Sequence, residues 1–160
     1  MTYTTQAIVL KKIPIGEADA LVVLYTRDFG KLRVHAQGVK REAAKLKGHI
    51  ESLSLNSVQF VLGSSGERLT YAQMLQPWPL IRNDFDRYAI AHYILEIVDK
   101  HCFPGEQDNA IWELLVSNLA LLEQCRIDDL HSAMQSFEQD FLCCLGYGKS
   151  KNIGLLEITR

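Results

Sequence analysis

The chain has 160 residues, of which 48% are apolar and 22% charged, and its formal net charge is −2. That apolar fraction is enough for a folded core, which excludes a disordered chain, and no apolar run approaches the length of a membrane span. The net charge excludes a uniformly basic protein, but residues 1–80 hold 10 Lys/Arg against 6 Asp/Glu, and residues 81–160 hold 7 against 13. We therefore expect only the first half to face an anionic partner.

The N-terminal stretch MTYTTQAIVLKK lacks a charged n-region and a small-residue cleavage site, so no signal peptide is predicted. The cysteines all lie in the second half on helix-like patterns, without a C-x-x-C pair: Cys102, Cys125, Cys143 and Cys144. Adjacent cysteines are poor disulfide partners for each other. We therefore expect reduced thiols in a cytoplasmic protein.

Five β-rich segments separated by turn signals occupy the first half of the chain. They cover residues 4–13, 21–26, 31–37, 53–62 and 69–75. Gly30 supplies the positive φ of a tight connection between the second and third segments. In the fourth, the apolar alternation slips phase, which predicts a β-bulge at Asn56-Ser57. The pattern predicts a five-stranded OB-type β-barrel, although an SH3-like barrel would give a similar string.

The sequence Gln76-Pro77-Trp78-Pro79 marks a domain boundary, because proline cannot continue a strand ladder. Beyond it the apolar period becomes helical, and three helices are predicted, over about 84–102, 109–125 and 128–145. Asn83 or Asp84 is expected to cap the first, whose apolar face would include Phe85. The predicted fold class is α+β, with an OB-fold domain over residues 1–79 and a small α-helical bundle over residues 80–160.

A basic stretch over residues 27–48 is the one feature with a strong functional interpretation. On the strand over 31–37, Leu32, Val34 and Ala36 share one face, and the polar side chains share the other. The basic residues of the stretch are candidates for contacting the phosphates of a nucleic acid: Arg27, Lys31, Arg33, Lys40, Arg41, Lys45 and Lys47. The alternative is a solvated strand whose charges oppose aggregation.

OB barrels bind single strands by adding stacking aromatic side chains to such charges. The candidate aromatics here are Tyr25, Phe29, Phe60 and Tyr71. Phe29, at the tip of a predicted hairpin, is expected to be the most exposed of the four. The other three alternate with core positions and are expected to pack.

No constellation of residues indicates an enzyme or a metal site. The sequence has no G-x-S-x-G elbow and no Walker or dinucleotide glycine pattern. His101-Cys102 and Cys143-Cys144 lack the separated-pair spacing of zinc sites, so packing as small apolar side chains explains the cysteines better. His92, among apolar helical positions, is expected to be a satisfied core histidine. We therefore expect no cofactor and no enzymatic activity.

Several segments in order resemble one protein family, the bacterial recombination and repair mediator RecO. In the first half these are AIVLKK at residues 7–12, GEAD at 16–19, YTR at 25–27 leading to GKL at 30–32, AQG at 36–38 and LKG at 46–48. In the second half they are YILE at 93–96 and FE at 137–138 followed by LGY at 145–147. The resemblance covers nearly the whole chain, and its specificity comes from the order and spacing of the segments.

The resemblance implies an OB domain followed by a helical domain, without enzymatic activity. Proteins of this family bind single- and double-stranded DNA and anneal complementary strands in recombinational DNA repair. They engage the acidic, hydrophobic C-terminal tail of single-stranded DNA-binding protein and work with RecR to load RecA. By position, the family's basic OB surface would include the basic residues of the 27–48 stretch, and the location would be the bacterial cytoplasm, at the nucleoid.

This sequence departs from the family pattern at its C-terminus. The usual family chain continues well beyond the LGY segment, and in many members the extension carries a four-cysteine zinc site. The sequence here ends at Arg160 with its cysteines elsewhere, so it represents a short form or a truncated one. The alternative function is a protein-interaction adaptor, in which the barrel binds an acidic peptide tail.

Overall fold

The computed structural model describes residues 1–40, 46 and 49–148. The chain divides into two compact units. The first comprises Met1–Trp78 and Leu95–Asp108, and the second comprises Pro79–Ile94 and Asn109–Arg160. The segment Leu95–Asp108, on the helical side of the predicted boundary, therefore belongs with the barrel.

The described part of the first unit contains the five predicted strands. They are β1 (Thr2–Ile15), β2 (Asp19–Thr26), β3 (Gly30–Ala36), β4 (Leu55–Gly63) and β5 (Gly66–Gln76). The strands close into a barrel in the order β1-β2-β3-β5-β4, and the pair β3–β5 is parallel while the others are antiparallel. The predicted five-stranded OB-type barrel is confirmed. Residues 40–47, between β3 and β4, have too little apolar surface to anchor a long helix, which predicts a loop or a single helical turn; most of them lie outside the described residues.

The barrel interior is filled by side chains that alternate along the strands, as a half-buried strand requires. Val9, Val22, Leu24, Val34 and Phe60 are among its buried members. Along β1 and β2 the intervening residues are also buried, so these strands have apolar side chains on both faces. The continuous apolar run predicted for the second strand is therefore confirmed, and its outer face must be covered by another part of the unit.

The prediction of a β-bulge at Asn56-Ser57 is wrong. Along β4, Asn56, Val58 and Phe60 are buried in unbroken alternation. The residues without a pairing partner lie on the neighbouring strand, because the β4–β5 register shifts at Leu55/Asn56 and again at Gln59/Phe60. The phase slip in the sequence arises because buried Leu53, with φ 62, precedes β4 instead of belonging to it.

The three predicted helices are confirmed, and a short helix that was not predicted precedes them. The helices are α1 (Pro79–Asn83), α2 (Phe85–His101), α3 (Asn109–Gln124) and α4 (Leu130–Cys144), with a 3₁₀ turn at Ile127–Asp129. Asp84 caps α2, as expected, by accepting a hydrogen bond from the backbone N–H of Arg87 at 2.9 Å. Phe85 is 84% exposed and does not belong to the apolar face.

Charged side chains satisfy helix ends within the second unit. Both carboxylate oxygens of Glu123 accept hydrogen bonds at 2.9 Å from the backbone N–H groups of Leu80 and Ile81, at the start of α1. The guanidinium of Arg87 donates to the carbonyl oxygens of Leu122 and Cys125, at the end of α3. These contacts supply partners for backbone groups that a helix end leaves unpaired.

His92 lies half-buried on α2, and the prediction of a satisfied core histidine is only partly right. Burial lowers the pKa of His92, and the positive charge of Arg82 lowers it further. Its ring packs against Tyr88, with 4.3 Å between ring centroids. Within the described residues, Nε2 of His92 is buried without a hydrogen-bond partner.

None of the four cysteines, which all lie in the described range, forms a disulfide. Among the described helices, none has both the length and the apolar character needed to cross a membrane.

Candidate nucleic-acid interface

Strand β3 carries the alternation predicted for it. Val34 and Ala36 are buried in the barrel core, and Leu32 is partly buried against it. Arg33 is exposed and His35 is half-exposed on the opposite, outer face. Arg33 is therefore fixed by the strand, in the position that the sequence predicts.

Lys31 does not share that exposure. It is 5% exposed, and its ammonium forms an ion pair of 2.7 Å with the carboxylate of Asp99. Lys31 Nζ also donates to the backbone carbonyl oxygen of Asp99, and Lys11 Nζ contacts the same carboxylate at 2.6 Å. The expectation that Lys31 lies on a free basic face is wrong, because its charge is neutralised inside the unit.

The charge state of Asp99 follows from the same contacts. Burial alone would raise the pKa of the Asp99 carboxyl, but hydrogen bonds and Coulomb attraction from Lys11 and Lys31 outweigh it. The pKa of Asp99 therefore lies below its ordinary value, and the group is a carboxylate at neutral pH. The carboxylate of Asp99 thus forms ion pairs with two lysines of the barrel.

The segment Leu95–Asp108, which contains Asp99, covers one part of the outer face of β2 and β3. The backbone N–H of Gly105 donates to the carbonyl of Lys31 at 3.0 Å, and Gln107 Nε2 donates to the carbonyl of Arg27 at 3.1 Å. Val23 and Tyr25, on the outer face of β2, are fully buried. OB barrels commonly bind nucleic acid at the β2–β3 face, so only its other part is left open here.

The open part is a groove of about 600 Å³ between the outer face of β2–β3 and the β4–β5 hairpin. Arg33, His35 and Arg68 supply basic or hydrogen-bonding groups to its wall, and Glu67 is the acidic member. Leu21, Val61 and Leu62 supply apolar surface, and the hairpin tip is the uncharged sequence Gly63-Ser64-Ser65-Gly66. We call this feature the β3–β5 groove.

Arg68 lines the groove but lies outside the predicted basic stretch. It lies directly across from His35 in the parallel pairing of β3 with β5, and it is exposed. The basic stretch ends at residue 48, and nothing local in the sequence around Arg68 marks it. Its position follows from barrel closure, which brings together strands more than thirty residues apart.

Hydrogen bonds connect the loops at the C-terminal end of β3. Asp19 accepts a hydrogen bond of 2.7 Å from the backbone N–H of Gly38, and its other carboxylate oxygen lies 3.4 Å from Nε2 of His35. Lys40 donates from Nζ to the carbonyl of Gly16 at 2.7 Å. Asp19 is therefore a structural turn residue, and Lys40 is held near the β1–β2 loop.

Arg27 is the remaining predicted residue that the structure describes, and it does not lie at the groove. Arg27 is exposed, but it belongs to the β2–β3 hairpin at the opposite end of β3, roughly 20 Å away along a strand of this length. Arg41, Lys45 and Lys47 lie outside the described residues. Arg33 and Lys40 thus mark one end of the barrel and Arg27 marks the other.

The exposure of the candidate aromatic side chains differs in part from the prediction. Phe29 is half-buried in an aromatic cluster, edge-on to Tyr3 and Phe60 with centroids 5.6 and 5.4 Å away. Tyr25 is fully buried, as expected. Tyr71, which was expected to pack, is 44% exposed. Tyr71 is therefore the most exposed of the four candidate aromatic side chains, but it is not among the residues that line the groove.

Comparisons with known proteins match both halves of the chain. The family models described as "Recombination protein O N terminal" and "Recombination protein O C terminal" match residues 1–78 and 82–150. A protein named "DNA repair protein RecO" from Dehalococcoides mccartyi is 33% identical over 91% of this chain and 56% of its own length. Its namesake in Geobacter metallireducens is 34% identical over 89% of this chain and 58% of its own length.

A third protein of the same name, from Synechococcus elongatus, is 35% identical over 84% of this chain and 51% of its own length. The chain thus spans about half the length of the curated relatives that it matches. Both family models match in the expected order, on the barrel and on the helical part. The chain belongs to the recombination protein O (RecO) family.

Proposed function

We propose that this chain is a non-enzymatic DNA-binding protein that holds and anneals DNA strands in recombinational DNA repair. The observation that carries the proposal is the β3–β5 groove, in which Arg33 and Arg68 are exposed on the open part of an OB barrel. OB barrels use this kind of surface for oligonucleotides. The relatives named as DNA repair proteins support the same conclusion.

The proposed chemistry is neutralisation of phosphate charge. Paired strands fix the backbones of Arg33 and Arg68, and each planar guanidinium can donate two hydrogen bonds to one phosphate. Lys40 would add a further contact, as would Arg41, Lys45 and Lys47, which follow it in the sequence. Reducing the repulsion between two bound strands allows their bases to pair, and no covalent step is needed.

Lys31 is not part of the proposed contact surface. Its ammonium is buried against Asp99, and moving it to a phosphate would break an ion pair inside the unit. Arg27 remains in the proposal as a second, separate point of contact at the hairpin end of the barrel.

Partners are proposed from the family resemblance alone. In this proposal the chain works with RecR and the C-terminal tail of single-stranded DNA-binding protein, and it assists loading of RecA. Single- and double-stranded DNA are the nucleic-acid partners.

The test is fluorescence anisotropy with labelled DNA at several salt concentrations. Wild-type protein is expected to bind with an affinity that falls steeply with salt, because phosphate contacts release counterions. The triple variant Arg33→Gln/Lys40→Gln/Arg68→Gln is expected to bind more weakly and with a shallower slope. Arg126→Gln is the matched control, since Arg126 is highly exposed but belongs to the second unit.

A salt-insensitive interaction, or equal behaviour of the triple variant and the control, would overturn the proposal. An acidic peptide added in the same assay addresses the adaptor function. Peptide binding with no DNA binding would replace DNA with a protein tail as the ligand.

A further inference from the structure

We propose that His35 is a third phosphate contact of the β3–β5 groove, made by its protonated form and positioned by Asp19, so that DNA binding takes up a proton. The proposal rests on the DNA-binding function above. It adds a residue that the proposed contact surface does not yet include, and it makes binding depend on pH.

His35 lies in a row of side chains that crosses four strands of the barrel. It pairs with Leu21 of β2 on one side and with Arg68 of β5 on the other, and Arg68 in turn pairs with Val61 of β4. Directly paired residues point to the same face of a sheet, and neighbouring strands lie about 5 Å apart. One phosphate is therefore within reach of both His35 and Arg68.

The carboxylate of Asp19 positions the imidazole ring of His35. Oδ2 of Asp19 lies 3.4 Å from Nε2 of His35, and Oδ1 accepts the hydrogen bond of 2.7 Å from the backbone N–H of Gly38. Because the backbone fixes one carboxylate oxygen, the other has a set position beside the ring. The side chain of His35 is still 40% exposed, so a ligand in the groove reaches it.

Charges on the strands around His35 act on its protonation. Arg33 shares its face of β3 and Arg68 lies across from it, and both repel an imidazolium. The negative charge of Asp19 attracts one. The other charged side chains on the described elements beside His35 are Glu17, Lys40 and Glu67. Attraction and repulsion thus oppose each other in the free protein.

A bound phosphate changes this balance. It neutralises the charges of Arg33 and Arg68 and adds a negative charge beside the ring, and both changes favour the protonated form of His35. Linkage then requires that protonation strengthen phosphate binding by the same factor. A histidine exchanges its proton near neutral pH, whereas an arginine stays charged throughout that range. The affinity for DNA should therefore rise as the pH falls through neutrality.

The experiment measures binding of labelled oligothymidylate by anisotropy, at constant salt and at about pH 6 and about pH 8. Thymine and the phosphodiester keep their charge over this range, so the protein supplies any change in affinity. Wild-type protein is expected to bind about fivefold more tightly at the lower pH, the contribution of one exposed ion contact. His35→Gln should bind equally at both pH values, because glutamine does not ionise.

Further variants separate this contact from general effects of charge. His131→Gln, at an exposed position of α4 in the second unit, should keep the wild-type ratio. His35→Arg should bind tightly at both pH values, because its charge is permanent. Asp19→Asn keeps an oxygen that accepts from Gly38 but removes the charge, so the rise in affinity should move to lower pH.

Nuclear magnetic resonance reads the protonation of His35 directly. The ring protons of His35 are followed through a pH titration of wild-type protein, with and without oligothymidylate. With the oligonucleotide bound, His35 should become protonated at a higher pH than in the free protein.

The outcomes separate the two proposals. If wild-type protein shows no salt-dependent binding at either pH, the DNA-binding function fails, and the His35 contact fails with it. If wild-type protein binds but His35→Gln has the same ratio of affinities at the two pH values, the His35 contact is overturned while the function stands. A titration of His35 that bound oligothymidylate leaves unchanged would overturn it as well.

Discussion

Among single residues, Asp99 decides which lysines of the first unit are available to a polyanion. Its carboxylate contacts both Lys11 and Lys31, and it lies 68 positions along the chain from Lys31. The sequence pattern around Lys31 predicts an exposed cation, because strand alternation alone places it beside Arg33. Only the fold reveals that an acid from another element neutralises it.

We predict that Asp99→Asn lowers the free energy of unfolding by about 3 kcal/mol at neutral pH, because Lys31 would stay buried without its counter-charge. Urea denaturation measures the change. Asp128→Asn is the control, since that carboxylate is 85% exposed and its loss should cost less than about 0.5 kcal/mol. Equal losses in the two variants would contradict the role given to Asp99.

The contribution of Asp99 should also depend on pH. Its folded-state pKa lies below its ordinary value of 3.8, so the ion pairs stabilise the fold fully above that value. The stability is lost as the pH falls through the lower folded-state pKa. The difference in unfolding free energy between wild type and Asp99→Asn should therefore stay constant near neutral pH and shrink in acid. A difference that grows on acidification would contradict the assignment.

Glu67 is the residue that opposes the proposed function within the groove. Removing its charge should strengthen DNA binding, and we expect Glu67→Gln to raise affinity by about threefold, in line with the modest energies of surface charges. Glu113→Gln, on an exposed position of α3, makes the same change in net charge far along the chain from the groove. If both variants bind DNA equally, total charge governs binding and the groove does not.

Among the elements, the segment Leu95–Asp108 has the largest effect on the site. It closes one part of the β2–β3 face and leaves the β3–β5 groove as the open part. Its approach to the β2–β3 hairpin is close, because a Cβ atom added to Gly30 would lie 2.0 Å from the carbonyl oxygen of Glu106. Gly30 is thus needed for its positive φ of 65° and for the space that it leaves.

We expect Gly30→Ala to be far more destabilising than Gly16→Ala. Both glycines have positive φ, which costs an alanine about 1 kcal/mol, but a Cβ at Gly16 meets nothing within 4 Å. Gly30→Ala must in addition displace the backbone at Glu106. Urea denaturation of the two variants measures the difference, and similar losses would show that the segment does not hold its place against the hairpin.

The sequence predicts individual strands and helices better than it predicts which of them lie next to one another. Alternation along residues 31–37 is enough to place Val34 inside and Arg33 outside, because strand geometry is local. The pairing of β3 with β5, which brings Arg68 opposite His35, depends on barrel closure and has no local signal. Similarly, the helical period predicts α2 but carries no information that its second half packs with the barrel.

Over the whole molecule, the charge division is less simple than the two sequence halves suggest. The first unit, with Leu95–Asp108 included, holds 11 Lys/Arg against 10 Asp/Glu. The second holds 6 against 9. The first unit is therefore nearly neutral, and affinity for a polyanion must come from the local arrangement of exposed cations.

The salt dependence of DNA binding measures how far the contacts extend beyond the cations at the groove and the neighbouring Lys40. Three or four phosphate contacts on single-stranded DNA correspond to a slope of log affinity against log salt of about −2 to −3. Contact by all seven basic residues of the 27–48 stretch would give a slope near −5. Anisotropy titrations over a range of salt concentrations distinguish the two, and a slope near −5 would show that phosphate contacts extend beyond the β3–β5 groove.

The most direct test of the central claim maps the binding surface by nuclear magnetic resonance. A short single-stranded oligonucleotide is titrated into ¹⁵N-labelled protein, and the amide shifts are followed. We expect the largest changes at Leu21, Arg33, His35 and residues 61–68, with little change at Lys31 and across the second unit. Changes confined to the second unit, or no change at the β3–β5 groove, would contradict it.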